Sequence, residues 1–213
     1  GKSLGNVLDP DLLLSKYGID PVRWYLIKDI SLGNDGDFQD RRFVDLINND
    51  LANTIGNLLN RTSSMSRKWF DNKVPNNEKI SSENKLEFIA KASVDKYINK
   101  FNTYKLDQAA NEVLSLAINT NLYLNDKQPW LLIKDDDKLP DVKEIIYSVL
   151  ESTRIIGLLL LPLLPELSSK INLQLGSTYQ KDIPWEQQLK WGLLISNSTL
   201  PKPSPVINKL DYE

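Results

Sequence analysis

The chain has 213 residues, of which 41% are hydrophobic and 25% charged, with 26 basic against 28 acidic side chains and a formal net charge of -2. That composition belongs to a globular chain long enough to bury a core without metal or disulfide staples. The absence of Cys and His excludes disulfides, thiolate and imidazole metal sites, cysteine nucleophiles and every Ser-His-Asp arrangement. It also fits a cytoplasmic location. The chain opens with Gly1-Lys2-Ser3 rather than Met and a basic-then-apolar leader, and it reads as an excised piece. The apolar run Ile155 to Leu164, broken by Gly157 and Pro162, falls short of the roughly 20 residues that span a bilayer, so a core helix and no membrane partner are expected.

Asp9-Pro10 and Asp20-Pro21 each set a capping carboxylate before a proline suited to the first helical position, and Gly18 stands where a helix ends left-handed. Two short helices follow, about 10–17 and 21–30. Ser31 to Asp37 is a turn-rich connector. Phe43, Leu46, Ile47, Leu51, Ile55, Leu58 and Met65 then recur near the helical period, which predicts one helix over about 39–70. Asp71 to Ser82 is a loop. Ser82 is placed to cap a helix carrying Leu86, Ile89, Ala90, Tyr97, Ile98 and Phe101, and Leu106 opens another; both are expected to pack on the first long helix.

Gln128-Pro129 ends that helix and leaves Trp130 just beyond the break. Asp141 starts the last long helix, bent by Pro162 and Pro165 into a shorter piece ending near Gly176. The remainder, with Pro184, Pro201, Pro203 and Pro205, reads mostly as a tail laid along the surface. No segment alternates long enough for a sheet. The expected fold is all-α, a bundle of about four to six helices, with a helical connector at 1–38 before a domain at 39–213.

Gly1-Lys2-Ser3 matches the end of a phosphate-binding loop, but no strand precedes it and a new helix begins only at Asp9-Pro10. Another match accounts for these residues and runs through nearly the whole chain. Lys2-Ser3-Leu4-Gly5-Asn6-Val7-Leu8-Asp9-Pro10 resembles the second half of the K-M-S-K-S signature of class I aminoacyl-tRNA synthetases with its usual continuation. Tyr17 to Leu26 looks like the segment that follows. Asp50-Leu51-Ala52-Asn53-Thr54-Ile55-Gly56-Asn57-Leu58-Leu59-Asn60-Arg61-Thr62 is similar to the start of the anticodon-binding domain of methionyl-tRNA synthetases. Asn121 to Trp130 matches a second marker, and Leu161-Pro162-Leu163-Leu164-Pro165 with Leu175-Gly176 fits the final helix.

The resemblance implies the C-terminal part of a methionine-tRNA ligase, docking on the anticodon loop and stem of methionine tRNA. It also implies a preceding catalytic half that uses ATP and Mg and carries the H-I-G-H signature, which a chain without His cannot contain. Lys2 and Ser3 match a loop that places positive charge on the activation transition state. Gly1 stands where the family has serine, so the loop is incomplete, and the chain alone is expected to activate no methionine and to hold no cofactor, no metal and no DNA. Asn57, Arg61 and Trp130 fall on the family's anticodon-reading positions.

The residue chemistry suits that role. Asn57 and Arg61 lie four apart, on one helical face. An amide and a guanidinium there offer donors and an acceptor to unstacked base edges, and an indole offers a stacking platform. Residues of these types also serve as a solvated face and as core packing. Arg61, Arg67 and Lys68, followed by Lys91, Lys96, Lys100 and Lys105, offer a modest phosphate footprint, or merely solvated surface. Two rivals remain: an isoleucyl, valyl, leucyl or cysteinyl enzyme, and a helical scaffold without RNA.

Overall fold

The computed structural model describes residues 10–29, 38–76 and 84–212. Lys2, Ser3 and Ser82 lie outside them. Among the described residues the chain forms helices and no strand, apart from an isolated antiparallel bridge between Lys73 and Thr199. No described helix is long and apolar enough to cross a membrane.

α1 (Pro10–Tyr17) stops at Gly18, whose φ of 83° is open to glycine and costly for a side chain. α2 (Ile19–Asp29) starts two residues before the expected Pro21. Asp20 therefore sits inside the helix and does not cap it. Its Oδ2 instead accepts the Leu167 N–H at 2.6 Å, in the first turn of α9 (Pro165–Gln174), where the N-cap residue Leu164 makes no side-chain cap bond. Burial raises the Asp20 carboxyl above its usual range, opposed by that N–H. Three residues on, Arg23 donates to the carbonyls of Leu163 at 2.6 Å and Pro162 at 3.0 Å, just past the end of α8 (Leu139–Leu160). A carboxylate at one helix start and a guanidinium at another's end both complement the helix dipoles, and together they seat α2 on that corner.

The predicted 39–70 helix is a continuous rod with a change of ladder inside it. α3 (Asp40–Leu46) runs into a π-helix (Ile47–Gly56) and then α4 (Asn57–Trp69). In the middle section the hydrogen bonds reach back five residues, as from the Asn57 N–H to the Ala52 carbonyl. Phe43, Ile47, Leu51, Ile55, Leu58 and Leu59 are fully buried along it.

α5 (Lys85–Asn102) begins at Asn84, whose Oδ1 accepts from Leu86 at 3.0 Å and Glu87 at 3.1 Å. The cap is thus Asn84 in place of Ser82. α5 packs chiefly on α6 (Leu106–Lys127) and α8 (Leu139–Leu160), and it is α6 that lies against the rod. α8 starts two residues before Asp141 and is buried on all sides through its second half, as a central helix must be. A Cβ on Gly157 would come within 3.0 Å of Ile171, so glycine permits the close approach of α9 to α8.

The C-terminal segment is more than a surface tail. It forms a short α10 (Trp185–Gln188) and sinks Leu189, Leu194, Leu200 and Val206 into the core. Val74 and Ser198 pair through backbone at 2.9 Å, Gln174 binds Ser204, and Tyr212 donates to Asp45 at 2.7 Å. Apolar side chains spaced several residues apart show no period, which is why their burial escapes a search for helices or strands.

Candidate nucleic-acid interface

Three of the expected residues can be placed relative to one another. α6 ends at Gln128, which is left-handed with φ 46° and ψ 54°, and Pro129 then opens the four-residue α7 (Pro129–Leu132). Proline supplies the fixed φ of a first helical position and lacks the N–H that would be orphaned there. Pro129 is buried and anchors the turn, so the next residue, Trp130, is directed by backbone geometry instead of by a flexible loop. Its indole is half-buried, packed on the core along part of its surface.

The Arg61 guanidinium lies 5.9 Å from the centre of the Trp130 ring, within reach of a cation–π attraction. Its Nη2 donates to Asn125 Oδ1 at 3.0 Å. Arg61 is thus held by an amide on one helix and an indole on another. Asn57, one turn earlier on α4, is exposed and shares the Arg61 face. The structure brings Arg61 and Trp130 together and leaves Asn57 presented beside them.

Asn125 was not singled out by sequence reasoning, although it lies in the Asn121 to Trp130 segment. Its neighbour one turn back, Asn121, donates to the Thr54 carbonyl at 3.1 Å and to the Ala117 carbonyl at 3.0 Å, tying α6 to the π-helix. The available signal was Asn121 and Asn125 at a spacing of four, the same interval as Asn57 and Arg61.

Charge singles out this face. Residues 51–70 contain no Asp or Glu, nor do residues 113–125, in a chain with 28 acidic side chains. What the two helices expose there is Asn53, Asn57, Asn60, Ser64, Arg67 and Lys68 on one, and Ser115, Ile118, Leu122 and Asn125 on the other. Asp50, the acid just before the first stretch, turns inward and accepts the Trp24 indole N–H at 3.0 Å. Exposed Asp126 follows directly after the second stretch, and within the two stretches themselves no carboxylate repels a phosphate.

The family model described as "Anticodon binding domain of methionyl tRNA ligase" matches residues 74–213. The chain belongs to the methionyl-tRNA ligase anticodon-binding family. A second model, "tRNA synthetases class I (M)", matches residues 1–63. Asn57 and Arg61 therefore fall in one matched span and Trp130 in the other. The chain is 38% identical to a methionine–tRNA ligase of Thermosynechococcus vestitus over 99% of its own length and 41% of the relative's. Against the Listeria monocytogenes enzyme it is 36% identical, over 100% of its length and 32% of the relative's. It superposes on apo Mycobacterium tuberculosis methionyl-tRNA synthetase with a TM-score of 0.88 at 28% identity, covering 97% of this chain and 42% of that one. The chain thus spans well under half the length of these proteins.

For this methionyl-type domain the α5 lysines form a separate feature. Lys91 is paired with Glu87 at 2.6 Å, while Lys96 and Lys105 are exposed. Lys91 and Lys96 sit on α5, which packs against α6 and α8, whereas Lys105 lies at the start of α6. Arg67 and Lys68 occupy the last turn of α4, where cations complement the helix C-terminus.

Proposed function

We propose that this chain is the C-terminal part of a methionine-tRNA ligase and reads the CAU anticodon of methionine tRNA. In this reading residues 1–38 end the K-M-S-K-S loop and form a connector against the tRNA stem, and 39–213 form the reader domain. ATP and Mg belong to the preceding catalytic half, toward which this chain offers only Lys2 and Ser3. The observation that carries the reading is the Arg61–Trp130 contact, made by residues of two distant segments to which the sequence resemblance assigns base reading.

The chemistry follows from the donors. A guanidinium has five N–H groups, and one is taken by Asn125, so the rest can meet base edges in a fixed plane. The exposed Asn57 amide adds one acceptor and two donors. Bases of a hairpin loop are unstacked, and one can stack on the indole while the guanidinium and amide read its edge. Stacking contributes roughly 1–3 kcal/mol per base. A bidentate base contact contributes about 1–3 kcal/mol more, taking the DNA figure as a guide. Together they permit a hundredfold preference or greater.

Equilibrium binding to a methionine-tRNA anticodon stem-loop, and to one with its first anticodon base changed, tests this at fixed salt. The cognate loop should bind at least tenfold more tightly. Equal affinities contradict the reading, and no binding to either favours a scaffold without RNA.

A further inference from the structure

The reader is launched from an unusual piece of backbone. π-helices are mostly single-turn bulges, and they occur frequently at functional sites. Here ten residues, Ile47–Gly56, take that form and end where Asn57 begins. Such a length needs outside support, because wide turns pack their own backbone less well.

That support comes from three sides. Asn121 on α6 donates to the Thr54 carbonyl, and Trp24 on α2 donates to the Asp50 carboxylate. The third grip is the C-terminal tail. Asn48 is buried and pairs with the Leu210 backbone through both ends of its amide: Nδ2 donates to the Leu210 carbonyl at 2.9 Å, and Oδ1 accepts the Leu210 N–H at 2.8 Å. At the far end of the π-helix the tail touches again. A Cβ on Gly56 would lie 3.4 Å from Ile207 and 3.3 Å from the Leu51 carbonyl. The tail thus spans the π-helix from its first turn to its last.

We propose that Asn48, with the tail segment it clasps, is a positioning residue for the base reader, holding residues 47–56 in the π form that fixes the direction in which Asn57 and Arg61 leave the bundle. The inference rests on the anticodon reading above. Its geometric basis is simple: converting one π turn to an α turn removes one residue from the ladder and rotates the following helix by about 100°. A rotation of that size takes Arg61 off the Trp130 ring and off Asn125.

The test uses the full chain carrying Asn48→Ala, with Leu210→Pro as a second variant that deletes the clasp's N–H donor from the tail side. A cooperative melting curve confirms the fold of each. Hydrogen exchange at the amides of residues 52–57 reports the π ladder, and the Trp130 indole N–H resonance reports the Arg61 contact without RNA. Asn48 precedes Arg61 by 13 residues, roughly 20 Å of helix, so a merely local role leaves that resonance in place. The expected result is at least tenfold faster exchange at 52–57, a displaced Trp130 resonance, and a cognate-to-changed loop affinity ratio reduced at least fivefold. Both variants and their combination should give similar losses, since they break one clasp. Unchanged exchange, or faster exchange with the resonance and ratio intact, overturns the proposal. If the wild-type chain does not discriminate between loops, the anticodon reading falls, and the indole resonance alone decides whether the clasp positions Arg61.

Discussion

Replacing Trp130 by leucine should weaken cognate stem-loop binding by about 5- to 150-fold, the range given by roughly 1–3 kcal/mol of lost base stacking at 1.4 kcal/mol per factor of ten. Leucine keeps apolar volume where the indole packs on the core, so the loss reports the missing ring face and not a cavity. Trp130→Phe retains a smaller π-face and should recover most of the affinity. The two variants also separate the indole's roles toward Arg61. Without an aromatic ring the guanidinium loses the partner 5.9 Å away and is steered by Asn125 alone. Fluorescence anisotropy with labelled loops, at one salt concentration, reads all three proteins. Leucine and phenylalanine variants that both bind like the wild type would remove the stacking role.

The largest stability effect is expected at a site remote from the reader. Glu151 and Arg154 are a buried ion pair on α8, with Arg154 Nε 2.8 Å from Glu151 Oε2 and Nη2 2.6 Å from Oε1. Glu151 also accepts the N–H groups of Gly192, Leu193 and Leu194, and Arg154 donates to the carbonyls of Gln188 and Lys190. The pair therefore satisfies five backbone groups of a turn that holds α10 and the following chain against α8. Arg154→Met leaves a buried carboxylate without its counter-charge, which costs about 3–5 kcal/mol. For a chain of this length that corresponds to a fall in Tm of roughly 6–20 °C.

A buried ion pair can often be exchanged for apolar residues at no loss. This one differs, because removing both partners orphans the turn's N–H and C=O groups. Glu151→Leu with Arg154→Met should therefore remain clearly less stable than the wild type. Thermal melts of the single and double variants check this. A double variant as stable as the parent chain would show that the turn finds other partners.

Punctuation was the most legible part of the sequence. Gly18 and Gln128-Pro129 mark helix ends and Pro165 marks a helix start, because each residue restricts or frees its own backbone. The apolar face of 39–70 gave the rod's length to within a residue at each end. It could not give the π form, since Ile47, Leu51 and Ile55, spaced by four, suit a wide or a normal turn alike. Ladder choice depends on what grips the helix from outside. Asp20 shows the same limit: an Asp-Pro pair reads as a local cap, yet the carboxylate serves α9, which only the folded chain brings near.

The reader divides the same way. The family resemblance is what proposes Asn57, Arg61 and Trp130 as the reader, and the spacing of four puts the first two on one face. The Asn125 amide that fixes the Arg61 plane was not legible, because a pairing between helices leaves no local trace. Likewise the tail's grip on the rod joins Asn48 to Leu210, residues separated by most of the chain.

In the proposed complex an anticodon base stacks on Trp130 beside the Arg61 guanidinium. A stem-loop carrying a photoreactive pyrimidine at the first anticodon position, cross-linked to the full chain and mapped by mass spectrometry, tests this stacking most directly. Adducts are expected on the segment around Pro129–Leu132 and on the Asn57–Arg61 turn, lost when unlabelled cognate loop competes. Adducts confined to the lysine face of α5, or spread evenly over the surface, would contradict it.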